Sequence, residues 1–446
     1  MTAEKIAPPP PSRTAAFRYW LKLGFISFGG PAGQISIMHQ ELVERRRWIS
    51  ERRFLHALNY CMVLPGPEAQ QLATYIGWLL HGAWGGLIAG GLFVLPSLLV
   101  LIALSWIYLA FGATPLVASV LYGIKPAVTA IVLFAAYRIG SRALKNRVLW
   151  IIAAAAFLAI FAFELPFPTI VLGAGIIGYL GDRFAPAAFH AASGHHTAQP
   201  SFGPALIDDG TPPPAHACFR WPRALGYALI GVLLWIGTLG ALVWFGGWSH
   251  PYAQMGWLFT KAALVTFGGA YAVLPYVYQA GVATYGWLTA PQMIDGLALG
   301  ETTPGPLIMV VAFVGFLGGW NHAALGDESL ALAGVIGACV ATFFTFLPSF
   351  LFILIGAPLV ESTRDDLKFT APLSAITAAV VGVIINLALF FAYHVLWPHG
   401  FAGPFDGVSA LIGLAAGVAL FRLRIGVIAV IAACAALGVI MRWLAA

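Results

Sequence analysis

Phe28-Gly29-Gly30-Pro31-Ala32-Gly33-Gln34 and, further on, Pro65-Gly66-Pro67-Glu68 bound the stretch on which the chain is built. The same frame returns once. Phe267-Gly268-Gly269 repeats Phe28-Gly29-Gly30, Trp287 repeats Trp48, and Pro304-Gly305-Pro306 repeats Pro65-Gly66-Pro67, all at an offset of 239 residues. Lys261 falls on Lys22 at the same offset. Agreement at four places without a gap marks a duplicated unit. Pro96-Ser97 and Pro348-Ser349 recur at an offset of 252, so the second copy carries 13 more residues, expected around Trp320 to Leu330.

Composition sets the solvent. Of 446 residues, 60% are hydrophobic and 9% charged, against about 25% charged in soluble domains. With a mean hydropathy of +0.87, the fold class is an all-α polytopic membrane protein. The 50 glycines and 29 prolines are tolerated in membrane helices, and the 15 tryptophans suit the interfaces. The net charge of +6 lies mostly in short loops, where it orients the chain and does not suggest nucleic acid. Cys61, Cys218, Cys339 and Cys434 are too far apart for metal-ligand spacing or a disulfide framework. No cofactor, metal or catalytic residue is expected.

The apolar segments divide the chain. Residues 1–16, with four consecutive prolines, read as a disordered tail without a cleavable signal pattern. Residues 17–180 form a first membrane repeat, 181–221 a Pro- and His-rich cytoplasmic linker, 222–247 an unpaired connecting helix, and 253–444 the second repeat.

Basic residues orient these segments. Arg45, Arg46, Arg47, Arg52 and Arg53 place the first loop in the cytoplasm, whereas its twin from Pro275 to Pro291 has neither Lys nor Arg. Arg138, Arg142, Lys145 and Arg147 also demand the cytoplasm. Both assignments hold only if residues 54–80 enter and leave on one side, turning at Pro65-Gly66-Pro67. The same reading of 253–319 puts Arg364, Lys368, Arg422 and Arg424 inside and leaves Arg442 alone on the wrong side. The expectation is therefore two inverted-topology repeats with re-entrant, broken helices at the midplane, an arrangement many secondary transporters use. Whether 17–37 spans or turns back stays open.

The paired Phe-Gly-Gly and Pro-Gly-Pro frames resemble the chromate ion transporter family. Gly29-Gly30-Pro31-Ala32, Pro65-Gly66-Pro67-Glu68-Ala69-Gln70, Lys125-Pro126-Ala127-Val128 and Glu301-Thr302-Thr303-Pro304-Gly305-Pro306 carry the likeness, from about 17 to 444, in the long two-domain form. The resemblance implies a multi-pass protein of the bacterial inner membrane that exports chromate and confers resistance. Sulfate would be the isosteric competitor. Protons and a second copy of the chain join the expected partners beside the oxyanion and the lipid bilayer.

Chromate is a tetrahedral dianion, and holding it inside a membrane needs donors without a large opposing charge. Broken helices supply them through free N–H groups and the positive end of the helix dipole. Glycine lets the backbone approach closely, and proline ends one helix and starts the next. Candidate binding residues are therefore Gly29, Gly30, Pro31, Gln34, Pro65, Gly66, Pro67 and Gln70 in the first copy. Gly268, Gly269, Pro304, Gly305 and Pro306 are their counterparts in the second. Kinks and close packing are the competing explanation. Lys125 is a candidate cation on the path, because a lysine at this depth costs about 2.5–3.5 kcal/mol and usually has a use. Pairing with an acid such as Glu68 is its structural alternative. Lys22 and Lys261 either attract the anion as a symmetric pair or snorkel to the interface. Glu68 and Glu301 would repel an oxyanion unless protonated, which makes them candidate proton carriers; the alternative is charge pairing. Asp295 is expected at the interface, and Arg138 as a cytoplasmic anchor. A membrane-embedded enzyme or a channel-like conductor are the competing classes. No His/Cys/Asp cluster or Ser–His pair supports the enzyme.

Overall fold

The structure, a computed structural model, describes residues 7–28, 30–112, 114–184, 202–212, 214–267, 270–362 and 370–445. Among these the regular structure is helical, apart from one isolated parallel bridge between Ile49 and Ile207. The first copy holds α1 (Arg13–Ile26), α2 (Gly30–His39), α3 (Glu51–Val63), α4 (Glu68–Phe111), α5 (Pro115–Ala143), α6 (Arg147–Phe161) and α7 (Phe167–Phe184). Next comes α8 (Trp221–Gly246). The second copy holds α9 (Pro251–Val265), α10 (Leu274–Tyr278), α11 (Ala290–Thr302), α12 (Val310–Asn321), α13 (Leu330–Ser362), α14 (Thr370–Leu396), α15 (Gly407–Phe421) and α16 (Val427–Ala445). Among the described residues, five helices are long and apolar enough to cross a membrane: α4, α5, α8, α13 and α14.

The duplication extends to fine detail. Each copy has a π-helical turn, Gln40–Arg45 and Gln279–Thr284, displaced by the same 239 residues as the sequence frame. A hydroxyl then opens the next helix: Ser50 accepts from the Arg53 amide at 3.2 Å, and Thr289 forms a capping box with Gln292. Both helices end where a proline forces extended backbone on the residue before it. Leu64 lies at ψ 146° ahead of Pro65, and Thr303 at ψ 148° ahead of Pro304. Gly66 (φ 122°) and Gly305 (φ 103°) make the turn in a region open to glycine alone. Pro67 and Pro306 then start the returning arms.

In the first copy the returning arm continues into the long helix through a kink at His81 and Gly82. In the second copy the break is complete, and α12 and α13 are joined by residues 322–329. That loop occupies the place where the extra residues were expected.

Both ends of the first hairpin meet the same piece of linker. The Ser50 amide donates to the Ile207 carbonyl at 3.0 Å, and the Ile207 amide donates to the Trp48 carbonyl at 3.1 Å. At the far end of the hairpin the His216 ring bonds the Trp78 carbonyl at 2.9 Å. Both ends of the hairpin are therefore tied to one stretch of the linker, residues 206–216. The second hairpin closes likewise, Asn321 donating through its side-chain amide to the Trp287 carbonyl at 2.9 Å.

One expectation shifts. Ser12 caps α1 by accepting from the Ala15 amide, so helix begins at Arg13, inside the stretch read as disordered tail. The linker residues from Phe202 onward are not loose. Ala205, Ile207 and Ala217 are buried, and the Arg47 and Trp48 carbonyls accept from the Leu206 and Ile207 amides. Arg364 and Lys368, used above for orientation, lie outside the described residues.

Candidate functional site

The two turns cross. The Gly66 amide donates to the carbonyl of Thr266, the residue that ends α9, at 2.7 Å. The Gly305 amide donates to the carbonyl of Ser27, which ends α1, at 2.8 Å. Ser27 and Thr266 are themselves equivalents, and each turns its hydroxyl back onto the preceding helical turn, to Leu23 and Ala262. Each Pro-Gly-Pro turn thus satisfies a carbonyl that the other copy's broken helix would otherwise leave orphaned. A second reciprocity lies beside the first. A Cβ at Gly66 would come within 2.5 Å of Ser349 Oγ, and one at Gly305 within 2.7 Å of Ser97 Cβ. Gln34 adds a bridge within this knot, its side-chain amide donating to the Gly305 carbonyl at 2.5 Å and to the Ser27 carbonyl at 3.3 Å.

The knot is polar and incompletely paired. Gln34 Oε1, Gln70 Oε1, Gln71 Oε1, Ser97 Oγ and Ser349 Oγ are all buried without a partner among the described residues. Gln70 otherwise donates to Thr74, and Gln71 to the Pro65 carbonyl. The helical arms that start at Pro67 and Pro306 carry no side-chain cap. A proline has no side-chain oxygen with which to cap, so the first N–H groups of both arms remain available to a ligand. The amides of Gly66 and Gly305 are not available, being spent on the cross-links.

Charged residues stand at two levels. Glu301, just before the second turn, accepts from the Tyr271 hydroxyl. The Arg138 guanidinium acts on both through its charge, and its Nη2 lies 4.0 Å from where a Cβ at Gly30 would sit. Arg138 therefore reaches the Gly30 break, where it was expected only to anchor α5. Lys125 lies thirteen residues earlier on α5, about 20 Å at helical rise. It pairs not with Glu68 but with Asp295, Nζ to Oδ2 at 3.4 Å. Asp295 is 3% exposed and also accepts from the Tyr108 hydroxyl at 2.9 Å, so it is packed within the protein between α4 and α5. A carboxylate this deep needs partners, and α4 and α5 supply them.

The remaining candidates are dispersed. Lys22 is exposed on α1 beside Phe25 and Ile26, whereas Lys261 sits over the Trp257 ring at 5.5 Å. Glu68 is half-buried in the first turn of α4, near Cys61. Pro31 is half-buried at the start of α2. Gly29, Gly268 and Gly269 lie outside the described residues. Among the described residues no three His, Cys, Asp or Glu side chains gather as metal ligands. Sequence reasoning missed Ser97, Ser349, Tyr271 and the site-facing position of Arg138. The signal for the serines was present in their shared offset.

Known proteins match this architecture closely. The family model described as Chromate transporter matches residues 14–179 and 253–439, which are the two copies without the linker and α8. The chain is 34% identical over 379 residues to the Chromate transport protein of Pseudomonas aeruginosa, covering 84% of this chain and 80% of that one. It is 30% identical over 401 residues to the Chromate transport protein of Cupriavidus metallidurans, covering 86% and 88%. It is 29% identical over 396 residues to a Probable chromate transport protein of Synechococcus elongatus, covering 89% and 88%. No solved structure matches. These relatives are named as transport proteins and not as enzymes. The chain, a multi-pass membrane protein, belongs to the chromate transporter family.

Proposed function

We propose that the chain exports chromate from the cytoplasm and thereby confers resistance, with sulfate as competitor. The observation that carries this reading is the crossed pair of Pro-Gly-Pro turns, with the buried Ser97 and Ser349 hydroxyls beside them unpartnered among the described residues. Uncapped helix starts and the hydroxyls of Ser97 and Ser349 offer donors suited to a tetrahedral dianion without a full neutralising charge. Arg138 supplies a cation beside Gly30, and Glu301 and Glu68 are the carboxylates that would carry a proton.

The two copies run oppositely through the bilayer in this reading. The C-terminal end of α13 meets the start of α3 through Glu361 and Arg53, whereas the C-terminal end of α4 meets the start of α11 through Tyr108 and Asp295. Reciprocal contacts of this kind let the same knot be reached alternately from either side.

Potential favours export. One charge crossing 100 mV is worth about 2.3 kcal/mol, so a dianion leaving a negative interior gains about 4.6 kcal/mol, roughly a 10³-fold gradient. The experiment is chromate flux in proteoliposomes with pH and potential imposed separately. Flux driven outward by an inside-negative potential is expected. No flux under either gradient would sink the reading, and flux indifferent to pH would remove the proton role of Glu68 and Glu301.

A further inference from the structure

A second set of buried charges lies away from the crossed turns. Arg53, in the first turn of α3, is 6% exposed. Its Nη1 bonds Glu361 Oε2, near the end of α13, at 2.8 Å. The other carboxylate oxygen of Glu361 accepts from the Tyr75 hydroxyl at 2.5 Å. Tyr75 belongs to the returning arm of the hairpin that α3 opens. One carboxylate from the second copy therefore clasps both arms of the first copy's hairpin.

The pairing is one-pointed. Arginine and a carboxylate usually meet through two parallel N–H···O bonds. Here Tyr75 takes the second oxygen, and Arg53 Nε and Nη2 are buried without a partner among the described residues. These two atoms form one edge of the guanidinium, the geometry that holds two oxygens of a tetrahedral oxyanion. In a pair serving only as a strut, the empty edge is a cost with no return, because an orphaned buried donor destabilises the fold. Arg53 also stands at the head of α3, which leads directly to Pro65-Gly66-Pro67 about 18 Å away at helical rise. The linker binds the chain just before it, through Ser50.

We propose that Arg53 is a second oxyanion-binding residue on the cytoplasmic side, where the arriving anion takes the free guanidinium edge, displaces Glu361 from Arg53 and frees α3, but not the Tyr75 arm, from α13. The inference deepens the transport reading and rests on it. The exchange makes and breaks no covalent bond. The anion's charge replaces that of Glu361 on Arg53, and Tyr75 keeps its acceptor.

Sidedness tests it. Chromate flux is measured in right-side-out and inside-out vesicles, so that each face is titrated separately. Arg53→Gln should raise KM at the cytoplasmic face by about tenfold, the worth of one charge-assisted hydrogen bond, and leave the opposite face unchanged. Glu361→Gln should lower the cytoplasmic KM. If that variant fails to fold, Tyr75→Phe serves instead. It frees Glu361 to grip Arg53 with both oxygens and should raise the cytoplasmic KM several-fold. Equal shifts at both faces, or changes in protein yield alone with KM constant, would overturn the inference while leaving transport intact. Absence of flux in the wild-type protein would overturn the transport reading itself, and this inference with it.

Discussion

The two hairpins share a backbone and differ in what holds them. The first, α3 and the start of α4, is stapled at its open end by the linker and clasped by Glu361 through Arg53 and Tyr75. The second, α11 and α12, has no linker. Its arm from Val310 to Gly319 is wholly buried, and its charge pair, Asp295 with Lys125, leaves the lysine 29% exposed. Duplication thus preserved the turn chemistry: both copies keep the glycine that the positive φ requires, between two prolines. The ends diverged: one copy carries the buried Arg53–Glu361 pair and the other the partly exposed Lys125–Asp295 pair.

The strongest way to break the comparison is at its shared centre. Gly66→Ala and Gly305→Ala each force a Cβ into left-handed backbone, costing about 1–2 kcal/mol. Each also drives that Cβ against Ser349 or Ser97. Both variants are expected to abolish flux, and to equal extents if the turns are equivalent. Retained flux in either one, measured in proteoliposomes, would mean that its turn is dispensable.

The next effect separates the ends. Asp295→Asn leaves Lys125 without its partner and should lower stability by about 3 kcal/mol, seen as a fall in Tm in detergent. The double variant Asp295→Asn with Lys125→Gln should recover most of that loss. No recovery would mean that Asp295 acts through Tyr108 and not through Lys125.

The smallest effect lies in the basic loop. Burial raises the Glu41 carboxyl, but Arg46 and then Arg45 outweigh it and hold the group below the ordinary carboxylate range. A depressed folded-state value stabilises the protein above the unfolded pKa and is lost as pH falls through the folded one. Glu41→Gln should therefore flatten the Tm-versus-pH curve on the acid side, by under about 1 kcal/mol. An unchanged acid limb would remove Glu41 from the loop's stability.

Much of this was legible in the sequence because proline and glycine act locally. Pro65 and Pro304 set the helix ends, Gly66 and Gly305 set the turns, and their offset revealed the duplication. The resemblance carried by the same motifs named the family. The partnerships were not legible. Lys125 had several acids within sequence reach, and only the packing of α5 against α11 selects Asp295. Arg138 read as an anchor because its place near Gly30 depends on contacts between distant segments. Likewise Arg53 looked like one of five loop arginines, since nothing local distinguishes it from Arg52, which stays exposed.

The account rests on the crossed turns being the place where the anion sits. Its most direct test is the KM for chromate in proteoliposomes of Ser97→Ala, Ser349→Ala and the double variant, each checked for monodispersity. The account predicts that each single change raises KM about tenfold, the value of a hydrogen bond to a charged ligand, and that the double change raises it further. An unchanged KM in the double variant, with protein folded and flux intact, would contradict it.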